Sequence, residues 1–264
     1  MPNDRDRARA RRRHVKRQAS TAARASRRRR NQAIIGTVVT VLFVVGGVLA
    51  LSRMVSDPVA GAGSTPVSSS AANPCAAPAP SPSAAARSFA KAPPTTLAEG
   101  KVWDATVTTT CGTIGLELYG DRAPQTVSSF IFLSRNGFYA NSPCHRLTSS
   151  ESLKVLQCGD PTGLGTGGPG YTYGVENAPA GGAYPTGTLA MARGDSVKSN
   201  GSQFFITYGD STLPTDGGGY SVFGKVTKGL DVLAEVAAGG ITNGQSDGAP
   251  ARAISIESIT VTPR

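Results

Sequence analysis

The chain has 264 residues, with 27 Lys and Arg against 17 Asp and Glu, two His, four Cys and a formal net charge of +10. That charge is not spread along the chain: the first 32 residues hold 13 basic side chains and two Asp, so residues 33–264 are close to neutral and the excess argues for a tail, not a nucleic-acid-binding protein. Two His and no CxxC pair also speak against a zinc centre, and no metal site is expected.

Taken in order, residues 1–32 form a basic arm. Residues 33–51 are 19 uncharged positions rich in Val, Leu, Ile and Gly, bounded by Arg27–Arg30 and by Arg53. That length is close to the roughly 20 apolar residues that cross a hydrocarbon core, so a transmembrane helix is expected over 33–52. The basic flank places the arm in the cytoplasm and the rest outside, as a single-pass protein of the cell membrane. A cleaved signal peptide is the competing reading. It normally has a short basic region, an apolar stretch of about 7–15 residues and an A-x-A site, and only Ala50-Leu51-Ser52 resembles that site. Residues 53–100 are dominated by Ala, Ser, Pro and Gly, a composition that cannot bury enough surface to offset chain entropy, and they are expected to be a disordered linker. The folded domain is then 101–264.

Within the domain, residues 102–109 favour β structure, Cys111-Gly112 turns the chain, and Ile114, Leu116 and Leu118 alternate with polar or small neighbours. This predicts a hairpin. Residues 121–136 carry Pro124 near the start, Val127, Phe130 and Ile131 at helical spacing and Asn136-Gly137 as a stop, which predicts a first helix. Short strands are expected over 142–147 and 153–158, joined by the polar run 148–152. The run Gly163-Leu164-Gly165-Thr166-Gly167-Gly168-Pro169-Gly170 invites a phosphate-loop reading, yet it lacks the terminal Gly-Lys-Ser/Thr and opens no helix. A surface loop is the better account. Further strands are expected over 188–192, 202–207 and 220–226, with a glycine turn at 216–219. A second helix over 229–238 would place Leu230, Leu233, Ala234 and Ala237 on one face. The closing Ile254, Ile256, Ile259 and Val261 slip phase by one residue, which predicts a bulge in the final strand. About eight short strands and two helices without βαβ alternation predict a mainly β fold, a closed antiparallel barrel.

The four cysteines, Cys75, Cys111, Cys144 and Cys158, suit an oxidising exterior. Four allow three pairings, and sequence alone does not choose. If Cys144 and Cys158 lie on two strands of one hairpin they can face each other, leaving Cys75 to tie down near Cys111; four free thiols is the alternative.

Six segments then carry a resemblance: Cys144-His145-Arg146, Gln157-Cys158-Gly159-Asp160, Gly165-Thr166-Gly167-Gly168, Leu189-Ala190-Met191-Ala192, Asn200-Gly201-Ser202-Gln203-Phe204-Phe205-Ile206 and Val222-Phe223-Gly224-Lys225-Val226. In order and approximate spacing they resemble the cyclophilin peptidyl-prolyl isomerases, over roughly residues 103–262. The arm, span and linker lie outside that match and are similar to those of membrane-anchored bacterial members. The resemblance implies an eight-stranded antiparallel barrel capped by two helices, monomeric, with its site on the outer face. It implies that Arg146 is the catalytic side chain, that Gln203 contacts the substrate backbone and that Phe205 helps form a proline pocket. It extends the substrate site to His145, Val155, Gln157, Ala192, Arg193, Leu213 and Tyr220, with proline-containing polypeptides as substrates.

Physical chemistry agrees with such roles. The peptide bond resists rotation by about 18–20 kcal/mol because the nitrogen lone pair is delocalised into the carbonyl. A guanidinium stays charged and presents fixed N–H donors that can hydrogen-bond the prolyl nitrogen as conjugation is lost. No nucleophile, metal or cofactor is required. A hydrolase reading of His145 lacks an activated serine, an oxyanion hole and a GxSxG elbow. A low-turnover module or chaperone that binds proline segments on the same fold is the second reading.

The chain departs from the family pattern in places. Three residues are inserted between Arg146 and Gln157, so a pocket position usually held by Phe falls on Lys154 or Leu153. Ala192-Arg193-Gly194 stands where Ala-Asn-Ala is usual, Leu213-Pro214 where Trp-Leu is usual, and Tyr220 where His is usual. A reporter fused to the C-terminus is expected to appear outside the membrane and one fused to the N-terminus inside; the reverse pattern would reject this topology.

Overall fold

A computed structural model describes Cys75 and residues 87–264. The basic arm, the 33–52 span and most of the 53–100 linker lie outside the described residues. Among the described residues, no helix is long and apolar enough to cross a membrane.

Residues 87–100, expected to belong to the linker, are ordered. Phe89 sets its ring edge-on against Phe132 at 4.8 Å, and its N–H donates to the Pro169 carbonyl at 2.8 Å. A short 3-10 turn, Thr95–Ala98, buries Ala98 completely and presents its carbonyl to the indole N–H of Trp103 at 2.8 Å. Composition hid this because only a few apolar residues are involved. Their partners include Phe132 and Pro169 for Phe89, and the Ser128 hydroxyl for the Ala98 N–H, all far along the chain.

Strands β1 (Val102–Thr109) and β2 (Gly112–Tyr119) form the expected hairpin, paired from Val102↔Tyr119 to Thr109↔Gly112. Every second β1 residue is buried, the period of a strand with one face in the core. Helix α1 (Pro124–Arg135) starts on a proline, whose fixed φ suits the first turn. Its N-cap, Ala123, has no side-chain acceptor. Glu176 supplies one from a distant loop: its carboxylate accepts from the N–H groups of Gln125 and Thr126 at 3.0 and 2.8 Å and from the Thr126 hydroxyl at 2.8 Å. A carboxylate there also meets the positive end of the helix dipole.

The remaining strands are β3 (Ser142–Pro143), β4 (Arg146–Thr148), β5 (Val155–Cys158), β6 (Ala183–Tyr184), β7 (Thr188–Met191), β8 (Phe204–Thr207), β9 (Ser211–Thr212), β10 (Val222–Lys228), β11 (Asp247–Gly248) and β12 (Ser255–Pro263). All but β6 and β9 join one curled sheet in the order β11-β4-β5-β8-β7-β10-β2-β1-β12-β3. The result is a curled, ten-stranded half-barrel with two helices. One local departure lies at 142–147, expected as one strand. It breaks at Cys144-His145, so that β3 pairs with β12 at one end of the order while β4 pairs with β5 and β11 near the other.

In β12 the phase slip is a bulge: Thr108 faces Ser258 and Thr109 faces Ile256, leaving Glu257 as the extra residue. Helix α2 (Leu230–Ala238) buries Leu233 and Val236 and leaves Leu230 43% exposed, so the apolar face expected at Leu230, Leu233, Ala234 and Ala237 is corrected. Seven of its nine residues are apolar, so the sequence does not fix its phase. Inside the curl, Phe130 packs against Phe204 and Phe223 at 5.7 and 5.5 Å. A smaller cluster of Val155, Tyr184, Ala190 and Phe205 is buried on the sheet's other face. Two disulfides, Cys75–Cys111 and Cys144–Cys158, match the pairing that spacing preferred.

Removing the Glu176 carboxylate strips α1 of its N-terminal acceptor. Glu176→Ala is expected to cost about 1–2 kcal/mol, the size of a lost cap. Urea denaturation should show a lower midpoint with an unchanged slope; an unchanged midpoint would show that the cap contributes nothing.

Candidate active site

Strand register builds the site. Arg146 on β4 faces Gln157 on β5, Gln157 faces Phe205 on β8, Phe205 faces Ala190 on β7, and Ala190 faces Val222 on β10. Residues directly opposite share a sheet face, so this row points away from the main core. The next row, Leu147, Leu156, Ile206 and Leu189, points inward and is fully buried. Phe204 and Phe205 divide accordingly: Phe204 belongs to the main core and Phe205 to the outer cluster.

Over this row lies a cavity of about 230 Å³. Phe205 and Val155 are apolar at its base, and Leu153, Leu213, Pro214 and Tyr220 complete the apolar lining. The Phe205 ring lies edge-on to Tyr220 at 6.0 Å and tilted to Tyr184 at 6.1 Å, which fixes its orientation. Arg146, Gln157, Ala192, Arg193 and Thr212 supply the remaining lining. A wider cavity of about 670 Å³ shares Gln157, Ala192 and Arg193 with the first and runs between the 165–172 loop and residues 192–203.

The polar side chains form one hydrogen-bonded line. Asp247 accepts from Arg146 Nε at 2.8 Å and Nη2 at 2.7 Å, and Arg146 Nη1 donates to Gln157 Oε1 at 3.1 Å. Gln157 Nε2 donates to Gln203 Oε1 at 2.9 Å, and Gln203 Nε2 donates to the carbonyls of Gly165 and Gly167 at 3.0 and 2.9 Å. Asp160 fastens the same loop, accepting from Thr162 N–H and hydroxyl at 2.8 Å and from Gly167 N–H at 2.9 Å. Burial alone would raise the Asp160 carboxyl; those bonds from Gly167 and Thr162 outweigh it and hold the group below its usual range. Gly159 has to be glycine, with φ of +88° and the Ser202 carbonyl where a Cβ would stand.

The hydrogen bond from Arg146 holds the Asp247 carboxyl low, and the same bond raises the guanidinium further above neutrality, so both stay charged. His145 does not line the smaller cavity. It sits half-buried beside it, with Nε2 3.3 Å from Gln157 Nε2 and Nδ1 buried without a partner among the described residues. Burial lowers its pKa, neighbouring Arg146 adds to that, and Asp160 opposes it.

Of the pocket alternatives at the inserted turn, Leu153 lines the cavity. The Lys154 stem lies against Gly209, outside it. Arg193 turns its charge into structure: Nε donates to the Gly219 carbonyl at 2.7 Å, Nη1 to Gly194 at 2.9 Å, and the guanidinium lies 4.9 Å from the Tyr220 ring centre. Sequence reasoning missed Asp247 and Thr212. Asp247 lies 101 residues from its partner, and no local pattern marks it.

Residues 105–261 match the family model described as cyclophilin type peptidyl-prolyl cis-trans isomerase/CLD. A probable peptidyl-prolyl cis-trans isomerase B of Mycobacterium leprae is 46% identical over 169 residues, 59% of this chain and 55% of the relative. One of Mycobacterium tuberculosis is 44% identical over 162 residues, 56% of this chain and 51% of the relative. The chain thus spans about half the length of these curated relatives. A crystal structure of a Cryptosporidium parvum cyclophilin type isomerase matches with a TM-score of 0.52 and 29% identity, covering 62% of this chain and 99% of that one.

Because His145 is lowered in the folded chain relative to the ordinary value near 6.5, the unfolded chain takes up its proton first. Stability should therefore fall as pH drops through about 6.5, and His145→Phe should flatten that slope. Denaturant midpoints at about pH 7.5 and about pH 5.5 check this; an imidazole resonance for His145 titrating above 6.5 would contradict it.

Proposed function

The chain belongs to the cyclophilin-type peptidyl-prolyl cis-trans isomerase family, which its residues 105–261 match, and on that premise we propose that it accelerates Xaa-Pro isomerisation in exported or cell-surface polypeptides. The observation that carries the proposal is the outer row of the sheet. It sets a fixed guanidinium at the edge of an apolar cavity floored by an aromatic ring.

A prolyl ring offers apolar surface without a backbone N–H, and a small cavity lined by Phe205, Val155, Leu153 and Leu213 suits it. With the ring held, rotation is left to the preceding carbonyl. As the amide twists, the prolyl nitrogen regains its lone pair, and an N–H of Arg146 is placed to hydrogen-bond it. In a partly dry site such a preorganised donor favours the twisted state over the planar ones. Gln203, held by Gln157, lies at the edge of the wider cavity where a substrate backbone would run. A closed barrel of eight principal strands, with the remaining short strands as its rim, is the family architecture we assign to the curled sheet.

Location outside the membrane, tethered by residues 33–52, is part of the same proposal. The uncharged run behind a basic arm supports it, as do two disulfides, which persist in oxidising compartments.

Exchange NMR on a short Xaa-Pro peptide tests the activity. The intact domain should broaden and merge the cis and trans signals, and Arg146→Ala should lower that rate about 100-fold while the peptide still binds. Binding without faster exchange in the unaltered chain would instead mark a module that captures proline segments.

A further inference from the structure

We infer that Asp247 is a positioning residue for the isomerisation, holding the Arg146 guanidinium in the one orientation that serves the prolyl nitrogen. The inference rests on Arg146 being the acting group.

Arginine has a long, rotamer-rich side chain, and Arg146 is 40% exposed at the start of a three-residue strand. Nothing in β4 itself restrains it. Asp247 grips Nε and Nη2 in a two-point, in-plane pair, the fork geometry that fixes orientation as well as distance. Gln157 takes one Nη1 hydrogen. Of the five N–H donors of a guanidinium, two then remain for a substrate, one on each Nη.

Asp247 is itself held. Strand β11 pairs with β4 through Asp247↔Thr148 and Gly248↔Leu147, which makes Asp247 a diagonal neighbour of Arg146. Behind it, an Ile241↔Pro250 bridge closes the loop, and Ser149 N–H donates to the Ser246 carbonyl at 2.9 Å. A carboxylate on so short an edge strand is braced on both sides.

The pair contributes little to folding, since both partners are substantially exposed and solvent screens such pairs. Its negative charge also offsets part of the field that Arg146 presents to the substrate. An electrostatic role would therefore make Asp247 a hindrance, whereas an orienting role makes it necessary. The two accounts predict opposite signs.

The test uses exchange NMR with kcat and KM resolved separately for the unaltered chain, Asp247→Ala, Asp247→Asn, Arg146→Ala and the double variant. Asp247→Ala is expected to lower kcat about ten-fold, short of the roughly 100-fold that an ångström of misplacement can cost, with KM within about two-fold because the ring cavity is untouched. Asp247→Asn keeps one acceptor oxygen and the side-chain shape, so it should fall between. In the Arg146→Ala background, Asp247→Ala should have no further effect. An unchanged or raised kcat in Asp247→Ala and Asp247→Asn overturns the inference, as does an equal loss in both backgrounds. If Arg146→Ala itself retains the full rate, the reading of Arg146 fails and this inference falls with it.

Discussion

Antiparallel register is the constraint on which the site depends. Arg146, Gln157, Phe205 and Ala190 lie on four successive strands and share a face only because each sits directly opposite the next. A slip of one residue at β4–β5 would turn Arg146 inward and put Leu147 in the cavity. The fully buried inner row of Leu147, Leu156, Ile206 and Leu189 opposes that slip, since it would move apolar side chains into water. Cys144–Cys158 adds a covalent check at the open end of the same hairpin, 14 residues apart in sequence. Core packing and active-site geometry are thus two faces of one ladder.

Around that ladder, polar groups are tied in series. The line from Asp247 through Arg146, Gln157 and Gln203 ends on carbonyls of the glycine-rich loop, which Asp160 secures from below. Each amide both donates and accepts, so its orientation is set by its neighbours. The loop read from sequence as a surface loop is better described as the anchored far end of this series. Its glycines let backbone carbonyls approach Gln203. Arg193 does similar work on the opposite wall, joining residues 193–195 to the 216–219 turn.

What the sequence made legible was local in origin. The β1–β2 hairpin, α1 and the β12 bulge follow from periodicity and turn residues within a short window. The row Arg146, Gln157, Phe205 was found through ordered motifs, and the structure brings all three to one cavity. The rest is non-local. Glu176 caps a helix 50 residues away and Asp247 grips an arginine 101 residues away, and neither position carries a pattern of its own. Whether Leu153 or Lys154 faced the cavity depended on the shape of an inserted turn. The break at Cys144-His145 was invisible because strand propensity does not report when a strand changes partners.

The Cys75–Cys111 bridge has a mechanical consequence. Cys111 lies in the turn between β1 and β2, and the bond encloses the 36-residue interval from Cys75. Tension applied to the chain ahead of Cys75 therefore enters the fold at that turn, by a covalent short circuit. It does not peel β1 from its N-terminal end. Strand β1 is hydrogen-bonded on both edges, to β2 and to β12. A load delivered at the tip of its hairpin draws β1 and β2 together, so it falls on the ladders to their outer neighbours, β12 and β10.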